Sequence, residues 1–327
     1  MDKYVWYIAG GAGFVGSHWV EEALADPCTS RVVVMDNYSS GKLENLKRVL
    51  KDKRIELAKW DFVTDGFYPG VYLHDCPVYF VNCMHPMSND FTYSSALANG
   101  YTGMISTLDQ SRIQIAGSIF ISGTDVYPHN APVPTKEEWG ISHRGFYHWY
   151  GEKCQGELGW YICPSLTFRP GLLYGPRMSY AYVNDHDRLV DIMHSMMCTN
   201  VVHICGHGYQ KRSMMDVRDA VRIMYEIATQ DKWRMKRSIV TGRLEVNITG
   251  DIVKSESEFA KAVERLGACS PAMYRHTSYE ARSRFRVLDN SLMKDLLEGD
   301  RLERYSFEDS IRSMLTDYTY QVSIGHV

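Results

Sequence analysis

The segment Gly10-Gly11-Ala12-Gly13-Phe14-Val15-Gly16 constrains this chain more than any other. It follows a compact β-prone run, Tyr4-Val5-Trp6-Tyr7-Ile8-Ala9, and Val15 to Leu24 beyond it carries helical spacing. The order is therefore strand, tight turn, helix. Glycines at these spacings, which satisfy both GxxGxxG and GxGxxG, permit the turn, let backbone N–H groups approach a pyrophosphate and let the helix pack closely on the sheet. A second apolar run, Arg31 to Met35, ends in Asp36, 20 residues beyond Gly16, where a carboxylate accepts hydrogen bonds from an adenosine ribose. Three spaced glycines are a weak signal in a chain that holds 25. Framed by strand, helix and acid, they point to a bound dinucleotide, and the negative charge of Asp36 repels a 2′-phosphate, favouring NAD over NADP.

The alternation continues. Lys42 to Leu50 resumes helical spacing with Leu43, Leu46 and Leu50 on one stripe; strand-like runs follow at Ile55–Ala58, Val78–Val81, Ser118–Ile121 and Leu166–Arg169; helices are expected near Ser94–Asp109 and Tyr147–Tyr161. Such alternation predicts an α/β fold with a doubly wound parallel sheet, its ligands beyond the carboxyl ends of the strands. After Pro170 the pattern weakens through Gly175-Pro176 and Asn184-Asp185-His186-Asp187, and methionines and histidines crowd Met193 to His203. The expected division is 1–168 for the dinucleotide-binding domain and 169–327 for a smaller C-terminal α/β lobe, with some of its segments returning to the sheet.

With 327 residues, 45% of them hydrophobic and 23% charged, the chain can bury a large core. Its formal net charge of -3 supplies no field for phosphate backbones, so nucleic acid is not expected as a partner. The basic cluster Lys47, Arg48, Lys51, Lys53 and Arg54 is interleaved with Glu44 and Asp52 and reads as a solvated face; the second, at Lys232, Arg234, Lys236 and Arg237, carries no nucleic-acid motif. Apolar runs such as Val32–Met35 fall far short of the roughly 20 residues a membrane span needs. The strand-like run begins almost at Met1, leaving no room for a leader, and the eight cysteines form no Cys-x-x-Cys pair. These features predict free thiols and a cytoplasmic setting. His203-x-Cys205-x-His207 projects to one face of a strand without an evident fourth ligand, so an ordinary strand and no metal site are expected.

Met35-Asp36-Asn37-Tyr38-Ser39-Ser40-Gly41-Lys42-Leu43-Glu44-Asn45, together with the glycine fingerprint, resembles the extended short-chain dehydrogenase/reductase family, in particular its NAD-dependent nucleotide-sugar epimerases, dehydratases and decarboxylases. The resemblance runs on through Trp60-Asp61-Phe62, Ser122-Gly123-Thr124-Asp125-Val126-Tyr127, Lys153-Cys154-Gln155-Gly156-Glu157, Arg169-Pro170-Gly171-Leu172-Leu173-Tyr174-Gly175-Pro176-Arg177-Met178, Gly206-His207-Gly208-Tyr209-Gln210-Lys211-Arg212 and Asn247-Ile248-Thr249-Gly250. Gly175-Pro176-Arg177-Met178, with Asn184-Asp185 shortly after, is most similar to the UDP-glucuronate decarboxylases. The resemblance implies a Rossmann fold with a substrate-binding lobe, NAD held by Gly10, Gly13, Phe14, Val15, Gly16, Asp36, Asn37, Asp61, Phe62 and Lys153, a nucleotide sugar held by Arg177 and Arg212, transient oxidation at C4, and a homodimer paired through the Ser94–Asp109 and Tyr147–Tyr161 helices.

The family's chemistry needs a tyrosine four residues before its lysine, and here the expected Tyr-x-x-x-Lys pattern is broken. Position 149 is tryptophan, whose indole is a donor only. Tyr150, three before Lys153, still neighbours it on a helix. The Ser/Thr position three before Val126 is Gly123, with Thr124 the adjacent hydroxyl, and Leu172 stands where a substrate-binding asparagine is common. The catalytic candidates are accordingly Tyr150, Lys153, Thr124 and Asp125, the last where dehydratases and decarboxylases keep an acid for proton transfer. His85 is nearer to a structural histidine than to a nicotinamide contact. Two functions remain open: an enzyme acting on a nucleotide sugar, and a catalytically impaired NAD-binding relative serving as a sensor or partner subunit.

Overall fold

A computed structural model describes residues 3–66, 68–70, 75–85, 102–104, 106, 107, 109, 115–142, 146–161, 163–179, 188–199, 201–237, 242–267, 273–277, 286–297 and 302–325. Its centre is β1 (Tyr4–Ala9), α1 (Phe14–Ala25), β2 (Thr29–Asp36), β3 (Ile55–Lys59), β4 (Val78–Asn82), β5 (Ile115–Ile121) and β6 (Ser165–Pro170). With the Arg243–Ile248 strand these form a seven-stranded sheet in the order Arg243–Ile248, β6, β5, β4, β1, β2, β3, every neighbouring pair parallel. Central strands covered on both faces have no solvent side to alternate toward, which is why β4 and β6 are buried at every residue. The predicted parallel α/β sheet is thus observed. The strand order reverses beside β1, so the carboxyl ends of β1 and β4 flank a crevice.

One face of the sheet buries Trp6, Ile8, Val34 and Val81 against Trp19, Val20 and Ala23 of α1 and against the Val217–Thr229 helix. The other face buries Tyr7, Val33, Phe80 and Phe120 with Tyr147 and Cys154 of the Phe146–Tyr161 helix. A separate cluster, with Met193, Met196, Val202, Ile204, Met214 and Phe259, builds a further core from elements that follow β6 in the chain. The methionine-rich stretch is thus core, on a helix spanning Arg188–Cys198, and Val201–Cys205 is the expected strand, paired in parallel with Met273–Thr277.

The helix expected over Lys42–Leu50 is corrected to a short 3₁₀ turn at Leu43–Leu46 followed by turns. Leu43 and Leu50 are 43% and 40% exposed and only Leu46 is buried, so the leucine stripe faces no core. The Lys42 N–H and the Asn45 Nδ2 both donate to the Ala12 carbonyl, at 3.0 and 2.8 Å, tying the segment to the glycine loop. Of the expected Ser94–Asp109 helix, residues 94–101, 105 and 108 lie outside the described residues, as do Asn184 and Asp185.

His18 of α1 lies against the entry to the lobe, its Nε2 3.2 Å from the Pro176 carbonyl. Burial, reinforced by the Arg177 guanidinium, pushes this imidazole down to about 3. An unfolded chain titrates it near the ordinary value, about 6.5, and so binds its proton first as the pH falls. The stability that the neutral His18 contributes is therefore fully present above that value and lost progressively as the pH falls from it toward about 3. The melting temperature should drop between about pH 7 and pH 5, and His18→Gln, which keeps an amide donor but cannot titrate, should flatten that drop. An unchanged pH profile in the variant would remove His18 from the account.

Candidate dinucleotide and acid–base site

The loop between β1 and α1 is shaped by what its glycines lack. Gly10 adopts φ +73°, and a Cβ there would stand 3.0 Å from the carbonyl of Cys83 and the nitrogen of Met84, so the backbone that leaves β4 lies directly on the loop. A Cβ on Gly16 would come within 2.2 Å of the Gly10 oxygen, whereas one on Gly13 would meet only that oxygen, at 3.2 Å, and otherwise project into open space. Gly13 caps α1 with no side-chain hydrogen bond, and the first turn holds no acidic residue. The amides of Phe14 and Val15 have no intrahelical acceptor by the geometry of a helix start, and the dipole there favours an anion.

Asp36, at the end of β2, is 6% exposed and accepts hydrogen bonds from the Ala12 N–H (2.9 Å) and the Tyr38 N–H (2.8 Å). Burial raises its carboxyl above the usual range while these two amides pull it back. A carboxylate offers about four acceptor positions, so two are left for a diol. Gly41 closes the pocket, since a Cβ there would lie 2.8 Å from both carboxylate oxygens. Asn37 donates to Asp61 (3.0 Å), whose other oxygen accepts from the Val63 N–H (2.9 Å), and Phe62 is buried in the core beneath. The pieces suit a dinucleotide: a helix start without an anion of its own, open space over Gly13 and a buried acid one strand away.

The structure separates the catalytic candidates. Lys153 Nζ sits over the Trp149 ring, 4.4 Å from its centroid, so the lysine has its i−4 neighbour as in the family, but that neighbour is an indole. The Tyr150 hydroxyl instead lies 3.1 Å from Thr102 Oγ1, its ring packed against the core, and its hydrogen bond to Cys154 partly offsets the burial that pushes that thiol up to about 11. Thr124 and Asp125 occupy a 3₁₀ turn past β5, pinned by Arg286, which donates to the Thr124 carbonyl at 2.8 Å.

The residue that sequence reasoning missed is His148. Its Nδ1 is 2.7 Å from Asp125 Oδ1, with side-chain exposures of 7% for the histidine and 47% for the aspartate. Partial burial would raise the Asp125 carboxyl, but the bonded imidazole overrides it and holds the group down at about 2; burial would lower the imidazole, and Asp125 overrides that and raises it. The exposed His85 ring, past β4, is 5.1 Å from that of His148. No motif spacing flags a pair drawn from a helix and a strand end 23 residues apart.

Beneath this pair lies a buried ion pair. Arg169 of β6 grips Glu152 with two bonds, Nε to Oε1 (2.9 Å) and Nη2 to Oε2 (2.6 Å), while Ser122 Oγ donates to Oε1 (2.7 Å). Arg169 Nη1 donates to the Tyr127 hydroxyl, which donates to Asn247. The predicted phosphate or substrate arginines part company. Arg177 is committed to α1, donating to Glu21 and Ser17, and its backbone N–H donates to Asp317. Arg212 stands 3.6 Å from Glu256, with its buried Nε lacking a hydrogen-bond partner among the described residues.

Comparison with known proteins agrees with this architecture. UDP-glucuronic acid decarboxylase 1 of Arabidopsis thaliana is 26% identical over 236 residues, 68% of this chain and 52% of the relative, so the chain spans about half the length of that protein. UDP-N-acetylglucosamine 4-epimerase of Methanobrevibacter ruminantium superposes with a TM-score of 0.80 at 18% identity, covering 98% of this chain and 100% of that one. UDP-glucuronic acid 4-epimerase of Bacillus cereus, solved with UDP-glucuronic acid and NAD, gives 0.77 at 17% identity over 97% and 99%. Among the described residues no helix is long and apolar enough to cross a membrane. The NAD-dependent epimerase/dehydratase family model matches residues 6–242, and the chain belongs to that family.

Proposed function

We propose that the protein binds NAD and uses it to oxidise a nucleotide-activated sugar transiently at C4, in an epimerase, dehydratase or decarboxylase type of reaction. The observation that carries this reading is the buried Asp36 carboxylate beside the glycine loop, one of its acceptor positions spent on the loop amide of Ala12, one on the Tyr38 amide, and two suited to a ribose diol. NAD, when bound, supplies the acceptor for the hydride leaving the sugar carbon. The chain's own contributions are to hold and to orient. Asp36 grips the ribose and repels a 2′-phosphate; the first-turn amides of α1 face the pyrophosphate; Lys153, held over Trp149, presents its charge at the site; Arg212 offers a planar fork to the sugar nucleotide's phosphates. Thr124 and Asp125 lie at the strand end where the sugar would sit. The UDP-glucuronic acid decarboxylases among its relatives make UDP-glucuronate the first substrate to try. Pairing of two copies through the Phe146–Tyr161 helix is part of the same reading.

Trp149 favours a second reading, in which the fold binds NAD without turnover as a sensor or partner subunit. One experiment separates them: stripped protein is titrated calorimetrically with NAD, then incubated with UDP-glucuronate, UDP-glucose, GDP-mannose and dTDP-glucose while reduced nicotinamide absorbance and product are followed. Binding with turnover supports the enzyme, binding with silence the second reading, and no binding overturns both. Asp36→Ala should weaken NAD by about 10- to 150-fold, the equivalent of losing one charge-assisted interaction of about 1.5–3 kcal/mol.

A further inference from the structure

Gly123 and His148 are two halves of one substitution. A Cβ on Gly123 would stand 3.0 Å from His148 Cε1, 3.2 Å from His148 Nδ1 and 3.0 Å from Asp125 Oδ1. The imidazole edge therefore fills the volume that a side chain at position 123 would need. Glycine there both removes the hydroxyl expected at that strand end and admits the ring. The site that has lost a phenol at 149 and a hydroxyl at 123 has gained an imidazole in the place of the latter.

That imidazole is set up to take a proton. Asp125 fixes Nδ1 as the hydrogen-bonded nitrogen, so in the neutral ring Nδ1–H donates to the carboxylate and Nε2 carries the lone pair. Nε2 is buried and has no hydrogen-bond partner among the described residues. Buried polar atoms are ordinarily satisfied, and one that is not asks for a donor still to arrive. The ring also lies at the right end of the sheet. It packs near Phe120 of β5 and against His85, one residue past the Cys83–Met84 backbone that touches Gly10.

Resting on the proposed NAD-dependent reading, we propose that His148, oriented by Asp125, is the acid–base group that replaces the missing tyrosine. With NAD bound to accept the C4 hydride, His148 Nε2 would take the proton released as the C4 hydroxyl O–H bond breaks, that bond's electron pair closing the carbonyl. The products are a ketone and an imidazolium whose charge Asp125 balances. When hydride returns to the sugar the same proton goes back, so no other reactant is consumed. His148 is the catalytic residue and Asp125 its positioning residue. Among the described residues, the titratable groups facing the ring are Asp125 and His85 from the strand ends and Tyr147 and Glu152 from its own helix.

The test uses His148→Asn, which keeps an amide donor toward Asp125 but has no titrating nitrogen, and Asp125→Asn. In the wild type, His148 followed by NMR should titrate above an ordinary histidine, and kcat/KM should rise with pH through that same value, because the neutral ring is the base. Asp125→Asn should lower the His148 titration and move the acidic limb of kcat/KM down with it, a shift that loss of packing would not produce. His148→Asn should retain NAD affinity and lose about 10²- to 10⁴-fold in hydride transfer. Wild-type turnover left intact by His148→Asn overturns the assignment, as does an acidic limb unmoved in Asp125→Asn; collapse on Tyr150→Phe alone would return the role to tyrosine. A wild type that binds NAD but turns over no nucleotide sugar overturns the enzymatic reading first and the assignment with it.

Discussion

Replacing Gly16 by alanine should cost this protein both the proposed NAD binding and part of its fold, whereas the same change at Gly13 should cost the NAD binding alone. At Gly16 the new methyl would meet the Gly10 oxygen at 2.2 Å and the Gly11 Cα at 2.7 Å, both backbone atoms with no rotamer to yield. The loop must rise from the helix start, and overpacking of this kind destabilises by about 1–3 kcal/mol. Displacing the amides proposed to face the pyrophosphate would remove at least one or two charge-assisted hydrogen bonds, so NAD affinity should fall by on the order of 100-fold or more. Gly13 differs because its added methyl would have a single contact, at 3.2 Å, and open space beyond. Urea unfolding of Gly13→Ala should lie close to wild type while calorimetry shows NAD binding lost. If Gly13→Ala binds NAD normally, the dinucleotide does not lie over this loop.

Glu152→Gln should be among the most destabilising single changes in the chain. Glu152 and Arg169 are 1% and 2% exposed, and the amide would leave a guanidinium deep in the protein without its counter-charge. Breaking a buried pair from one side costs about 3–5 kcal/mol, because the remaining charge keeps its desolvation penalty without its partner. The double change Glu152→Met with Arg169→Met should recover part of that loss, since neither charge is then stranded. Denaturant midpoints of the three proteins measure this. A single variant within about 1 kcal/mol of wild type would mean the pair is screened by water. The pair joins the Phe146–Tyr161 helix to β6, so the same variant should disturb the placement of His148 and Lys153.

The parts of the site legible in the sequence are those made within a short stretch of chain. Strand, glycine turn, helix, second strand and terminal acid follow one another in 33 residues, Tyr4 to Asp36, and their contacts are dictated by local geometry: a loop that needs φ +73° at Gly10 and a helix that needs no Cβ at Gly16. Where periodicity was the only guide it misled at Lys42–Leu50, because hydrogen bonds to Ala12 from 30 residues or more away outcompeted a helix with no core to face. Arg177 matched a family motif in sequence but spends its guanidinium on α1, an outcome set by how the lobe entry meets that helix.

By itself the sequence determined the parallel α/β sheet and the acid that ends its second strand, because burial on both faces and the glycine turn are written in residue types and short spacings. Only the tertiary structure decided what stands where the tyrosine and the hydroxyl are absent. An imidazole on a helix and a carboxylate at a strand end become one group at 2.7 Å only when that helix is docked on the sheet, and no spacing along the chain encodes that distance.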